Sequence, residues 1–244
     1  MRISQALRAG IAAPSIVLVL TLVGCQQLFT TSLGSSLARS KPPVPSSLTA
    51  TQAATYAADV TANRDVPLAT ALMPAMADLV AANPANTDIL SDAVATAGIA
   101  TGVEEAFMKA LNVVDISTLT SSSPNLDATQ TSELASLLGS VAVSPDTTSV
   151  FTALAAANPA DMAASGANAT QYVVASIALV VADAQSQGAD VAALLQQSPP
   201  FSSGYTPSLA TDNLVTSLMT NASTQWPGDQ FISGMQGMFG NALP

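Results

Sequence analysis

An all-α fold is what the sequence predicts, and three features predict it. Alanine, the residue with the highest intrinsic helix propensity, makes up roughly a fifth of the 244 residues. Apolar side chains recur at helical spacing, as in Leu68, Leu72, Met76 and Leu79, or in Ile89, Leu90, Ala93, Val94 and Ala97. Between such runs stand Ser, Thr, Asp or Asn residues, several next to a proline, the combination that starts helices. The architecture expected is an irregular helical bundle or a short array of helical hairpins.

Composition narrows the chemistry. Hydrophobic residues are 49% of the chain, aromatic residues 4% and charged residues 9%, the last well below the ~25% of typical soluble domains. Ser, Thr, Asn, Gln and Ala must therefore cover most of the surface. With no histidine and one cysteine, Ser-His-Asp and Cys-His nucleophile systems and zinc sites built on His or Cys are excluded. No enzymatic activity, cofactor or metal is expected. The remaining chemistry is that of carboxylates: Asp88 and Asp92 lie four apart on one helix, and Glu104 and Glu105 follow. A divalent cation would need about six oxygen ligands, so these acids read as a solvated face.

The start of the chain has its own pattern. Arg2 and Arg8 precede an apolar run from Ile11 to Val23, and small Gly24 stands before Cys25. That is the layout of a secretory signal peptide, with a run too short for the ~20 residues of a membrane-spanning helix. Leu22-Val23-Gly24-Cys25 resembles the lipobox of bacterial lipoproteins. The resemblance implies cleavage after Gly24, a diacylglycerol thioether on Cys25 and acylation of the new amino group. Two or three acyl chains hold a membrane durably, at ~0.8 kcal/mol per buried methylene. The residue after Cys25 is Gln26, not Asp, which in that family implies passage to the outer membrane, facing the periplasm or the cell surface. No second cysteine exists for a disulfide. Loss of Arg2 and Arg8 leaves four basic against sixteen acidic residues, a net charge of −12, so nucleic acid is not an expected partner.

The domain plan is a signal peptide over 1–24, a lipidated cysteine and Pro/Ser-rich tether over 25–47, and one helical domain over 48–244. Lys41-Pro42-Pro43-Val44-Pro45 favours an extended spacer. The first helix is expected from Leu48 to Ala62. A second follows Asp65 as N-cap with Pro67 in its first turn, and Pro74 inside it predicts a kink or break. Asn83-Pro84-Ala85-Asn86 ends it, and Asn86 or Thr87 caps a third. Gly98 and Gly102 weaken the end of that helix before a segment with Val103, Phe107, Ala110 and Leu111. Residues 112–127 read as a loop between halves at 48–120 and 127–244.

The second half opens with a helix capped by Asp127, carrying Leu134, Leu137 and Leu138 and closing near Gly139. Ser144-Pro145-Asp146 starts another through Val150, Phe151 and Leu154 to Asn158-Pro159. Tyr172 to Ala182, with Ser176 as its one strongly polar member, predicts the central buried helix, ended by Gly188. A short helix from Asp190 to Gln197 and one from Ser208 to Asn221 follow. Asn168-Ala169-Thr170 and Asn221-Ala222-Ser223 fit the glycosylation sequon but read as chance matches in a bacterial lipoprotein.

Leu79 to Asn86 returns as Leu154 to Asp161, about 75 residues later, which suggests duplication. The run from Ala71 to Phe107, a helix, an Asn-Pro-Ala-Asn turn, a helix and then Gly102-Val103-Glu104-Glu105-Ala106, resembles tetratricopeptide repeats and the lipid-anchored T component of tripartite periplasmic transporters. Gly102 to Ala106 is one residue short of the usual repeat spacing, and the ~34-residue period is not sustained. At the carboxy end Phe231, Ile232, Met235, Met238, Phe239 and Ala242 form a stripe that needs cover. It is expected to fold back with Trp226 as pivot and seal the helices, or else to meet a partner. The function expected is that of a binding or scaffolding module for a peptide, small ligand or envelope protein, held to the membrane by Cys25. The alternative is a structural envelope lipoprotein without a ligand.

Overall fold

The computed structural model describes residues 44–106, 109, 128–197, 201, 203–229 and 231–233. Cys25 and its flanking signal and tether residues, Phe107, Ala110 and Leu111, the 112–127 segment with Asp127, the side chains of Leu134 and Leu137, and Met235, Met238, Phe239 and Ala242 lie outside the described residues. Residues 45–244 form one compact unit, and all that follows lies within it.

The fold is all-α. Its helices are α1 (Ala50–Asn63), α2 (Val66–Ala82), α3 (Thr87–Ala100), α4 (Ala128–Gly139), α5 (Pro145–Ala156), α6 (Pro159–Ala164), α7 (Ala169–Ser186), α8 (Val191–Leu195) and α9 (Leu209–Gln225). Most begin on a side chain that accepts from the first turn, as Asp65 does from Leu68 N–H at 3.0 Å, Asn86 from Ile89 at 3.2 Å and Ser144 from Thr147 at 3.1 Å. Each such cap contributes about 1 kcal/mol. α1 opens two residues later than its apolar pattern suggested because Thr49 and Gln52 make a reciprocal capping box.

Two helices form the buried centre. α3 buries Ile89, Leu90, Ser91, Ala93, Val94, Thr96, Ala97, Gly98 and Ile99, and α7 buries every residue from Tyr172 to Val181. α3 packs against α1, α2, α5, α6 and α7; α7 packs most extensively on α9 and also touches α3, α5 and α8. In a repeat array each unit touches only its neighbours, whereas here helices from both ends of the sequence converge on α3, as in a bundle. Thr96 and Ser176 enter this interior without an unmet hydrogen bond, since each hydroxyl donates at 2.9 Å to the carbonyl four residues earlier.

Pro74 does not break α2. It sits on the exposed side, where the carbonyl of Thr70 that it leaves without a donor can reach water. Leu72, Met73, Ala75 and Met76, before and after it, are all buried, so packing holds both turns in one helix. Further differences from the sequence expectation concern α6 and α7, while α8 ends at Leu195 and α9 runs on to Gln225. Asn158 caps the separate short helix α6, accepting from Ala160 N–H at 2.9 Å. α7 extends four residues beyond Ala182 and starts at Ala169, because Asn168 and Gln171 form a second capping box. The repeated Asn-Pro-Ala sequence adopts two conformations: Asn83 ends α2 ahead of a four-residue turn, whereas Asn158 starts a helix at once.

The connection from α7 to α9 is fixed by one carboxylate. Oδ2 of Asp183 accepts from the Tyr205 hydroxyl, Ser208 N–H and the Gln187 side-chain amide, each at 2.9 Å. Burial pushes this carboxyl up, but the hydrogen bonds from Ser208, Tyr205 and Thr211 outweigh it and hold the group below the usual aspartate range. A depressed folded-state value gives stability that is present above the unfolded value and lost as pH falls through the folded one. Asp183→Asn should therefore cost about 1–3 kcal/mol near neutral pH, with the gap to the parent chain closing as both are melted at progressively lower pH below about 4. A gap that persists at pH 2 would show that the charge on Asp183 is not what stabilises the junction.

Candidate functional site

The end of α1, the last turns of α3 and the first turn of α7 enclose a cavity of about 230 Å³, lined by Thr61, Val94, Ala95, Gly98, Glu104, Asn168, Thr170, Gln171 and Val174. Its floor is apolar and buried, formed by Val94, Gly98 and Val174. Its rim is polar. Two wider hollows, over Asn83–Asp88 and beside the Glu105 and Lys109 pair, are surface depressions.

Local geometry brings Glu104 over this floor. α3 ends at a turn in which Thr101 Oγ1 donates to Gly98 O at 2.8 Å and accepts from Val103 N–H at 3.3 Å. Gly102, at φ +73°, reverses the chain, a conformation that costs glycine nothing. Glu104 Oε2 then stands 3.7 Å from where a β-carbon on Gly98 would be, and Oε1 pairs with Arg64 at 3.2 Å. Arg64 is placed by its own left-handed backbone, φ 49°, which closes α1.

The capping box of α7 also contributes to the lining. Gln171 N–H donates to Asn168 Oδ1 at 3.2 Å and Asn168 N–H to Gln171 Oε1 at 3.1 Å. Both side-chain oxygens are thereby used, and the two NH₂ groups have no partner among the described residues. The hydroxyls of Thr61 and Thr170 have none either, in contrast to Thr55, Thr70, Thr96 and Thr152, which bond back to their own helices.

The four carboxylates singled out in the sequence do not converge. Asp88 and Asp92 belong to the start of α3, where burial, then the charge of Asp88, pushes the Asp92 carboxyl up. Glu104 and Glu105 lie beyond its other end. Lys109 holds Glu105 below the usual glutamate range by hydrogen bond and charge. Among the described residues no group of three His, Cys, Asp or Glu side chains is placed to hold a metal ion. Of the sequons, Asn221 spends its amide nitrogen on Ala155 O at 3.1 Å.

Of the carboxy-terminal stripe, Trp226 terminates α9 and its ring stands 5.6 Å from that of Tyr172, tilted by 59°. Gly228 turns the chain at φ +78°, Asp229 accepts from Phe231 N–H at 2.8 Å and Ile232 N–H at 3.3 Å, and Ile232 is buried. The sequence reading missed the cavity. Asn168-x-x-Gln171 carries the capping-box spacing, which would have placed the start of α7, but nothing local ties Glu104 to Gly98.

Beside Trp226 the Tyr172 hydroxyl is buried without a hydrogen-bond partner among the described residues, and burial pushes its pKa up to about 12 from 10.0. A raised tyrosine value contributes stability that is lost as pH climbs from the unfolded value through the folded one. Tyr172→Phe should keep or raise stability at neutral pH, by about 1 kcal/mol, and unfold less steeply between pH 10 and 12. A clear loss of melting temperature at neutral pH would mean that the hydroxyl is bonded in solution.

In comparisons with known proteins no family model, no curated protein and no solved structure matches the chain.

Proposed function

We propose that this chain is a lipid-anchored envelope protein whose helical domain binds a small ligand or the end of a peptide in the cavity between α1, α3 and α7. The observation that carries the binding reading is that cavity: a buried apolar floor under a rim whose amide and hydroxyl groups have no described protein partner. Pockets that bind small molecules combine these two features, an apolar lining and a few polar groups that fix orientation. The anchor reading rests on Leu22-Val23-Gly24-Cys25. No helix among the described residues is long and apolar enough to cross a membrane. Gln26 directs the proposal toward the outer membrane. The lack of histidine and of a second cysteine favours binding over catalysis.

Cys25→Ser should abolish labelling by radioactive palmitate and move the protein from the membrane fraction to the soluble one. Retention of unlabelled variant at the membrane would refute the anchor. For the cavity, thermal melting of the full chain in detergent with a panel of small polar metabolites should show at least one saturable rise. Such a rise amounts to about 2.7 kcal/mol at a hundredfold excess over Kd. A panel without any saturable shift would favour a purely structural protein.

A further inference from the structure

We infer that the cavity between α1, α3 and α7 is shaped for a small zwitterion of free amino acid size, and that Gly98 lacks a side chain in order to admit it. The inference rests on the proposal that this cavity binds a ligand, and narrows the class.

Gly98 is the first argument. Among the described residues it is the one glycine in the interior of a helix; Gly102, Gly166, Gly188, Gly204 and Gly228 all occupy turns at positive φ. A glycine there weakens a helix by roughly 0.5–1 kcal/mol relative to alanine, in a chain that uses alanine almost everywhere else. Packing does not demand it: a β-carbon would meet Val174 Cγ1 at 3.6 Å and Glu104 Oε2 at 3.7 Å, ordinary contact distances. What a side chain at 98 would do is occupy the floor of the cavity. The space it leaves open is the feature that packing does not account for.

The rim supplies the second argument, because its two sides differ in kind. Glu104 presents Oε2, an acceptor only, and keeps Arg64 on Oε1. Elsewhere on the lining the amide nitrogens of Asn168 and Gln171 are donors only, their oxygens being committed to the capping box. An ammonium group suits the first side and a carboxylate the second. A simple anion would face Glu104, and a simple cation would make no use of the amide donors. Size agrees, since about 230 Å³ falls below the ~300–1,000 Å³ of pockets for drug-sized ligands.

Isothermal titration of the full chain in detergent tests this, using the free L-amino acids singly, then the carboxylate and the amide corresponding to the best of them, and glucose. One or more amino acids should bind. The analogue without the ammonium group and the one without the carboxylate should each bind at least about tenfold more weakly, the loss expected for one charge-assisted contact. Gly98→Val should abolish binding with helical circular dichroism intact. Gly98→Ala, which restores helix propensity, should keep or raise the melting temperature while weakening binding. Glu104→Gln should weaken the amino acid and leave the deaminated analogue unchanged, a pattern that loss of structure would not give. If glucose or another neutral compound binds in a Gly98-dependent way and no amino acid does, the zwitterion is overturned and the ligand-binding proposal stands. If nothing binds and Gly98→Val only stabilises, both fall.

Discussion

Helices α3 and α7 carry the broadest buried apolar surfaces, and most of the other described helices pack against one or both of them. A helix with so broad an apolar surface is stable only when surrounded, and here the surroundings come from distant parts of the chain: α1, α2, α5 and α6 pack on α3, and α9 on α7. Small residues make this enclosure close. Ala93 and Ala97 in α3 and Ala175 and Ala178 in α7 are fully buried, so the gaps between the larger side chains are filled by backbone. Tyr172, Phe151, Leu72, Met76 and Met219 are among the largest fully buried groups, and the Met side chains fit irregular spaces without strict shape demands.

Charge has little part in holding the helices. Arg64 and Lys109 are the described cations, and both pair with glutamates at one corner, beyond the end of α3. None of the described helices carries a basic residue in its last turn. Their carboxy ends are finished by backbone geometry instead. Arg64, Gly166 and Gly188 take the left-handed conformation and return an N–H to the preceding turn, as Ala189 N–H does to Ala184 O at 2.9 Å. The amino ends are finished by neutral or acidic side-chain oxygens. Such bonds are local and short-ranged, so they suit a chain whose excess negative charge would disfavour long-range ion-pair networks.

Much of the fold was legible because its punctuation is local. Asp65, Asn86, Ser144 and Asp190 cap where the sequence put helix starts, and the runs through α3 and α7 announced burial by their apolar content. Pro74 misled because proline's cost depends on which side of a helix it occupies, and that is settled by packing. α6 was hidden since six residues carry too little periodicity to separate from a turn. The Asn-Pro-Ala echo looked like a structural repeat but is decided by what flanks it. The cavity was illegible for a different reason: Thr61, Gly98, Glu104 and Asn168 are separated by tens of residues, and only the crossing of three helices makes them neighbours. Asp183 gave no signal either, as its partners Tyr205 and Ser208 lie past a proline-containing loop. Cys25 and most of the carboxy-terminal stripe stand outside the described residues, so their reading still rests on sequence pattern.

The contact between Trp226 and Tyr172 has a practical consequence. Trp226 is the only tryptophan in the chain, and it stands at the exit of α9 against a residue of α7, at the seam between the two helices that pack most extensively after α2 and α3. Indole emission is thereby a private optical channel for that seam. Opening of α9 from α7 would change the wavelength and quenching of one fluorophore with no background from other tryptophans. The molecule thus carries a built-in gauge of whether α9 is closed on α7, independent of any label.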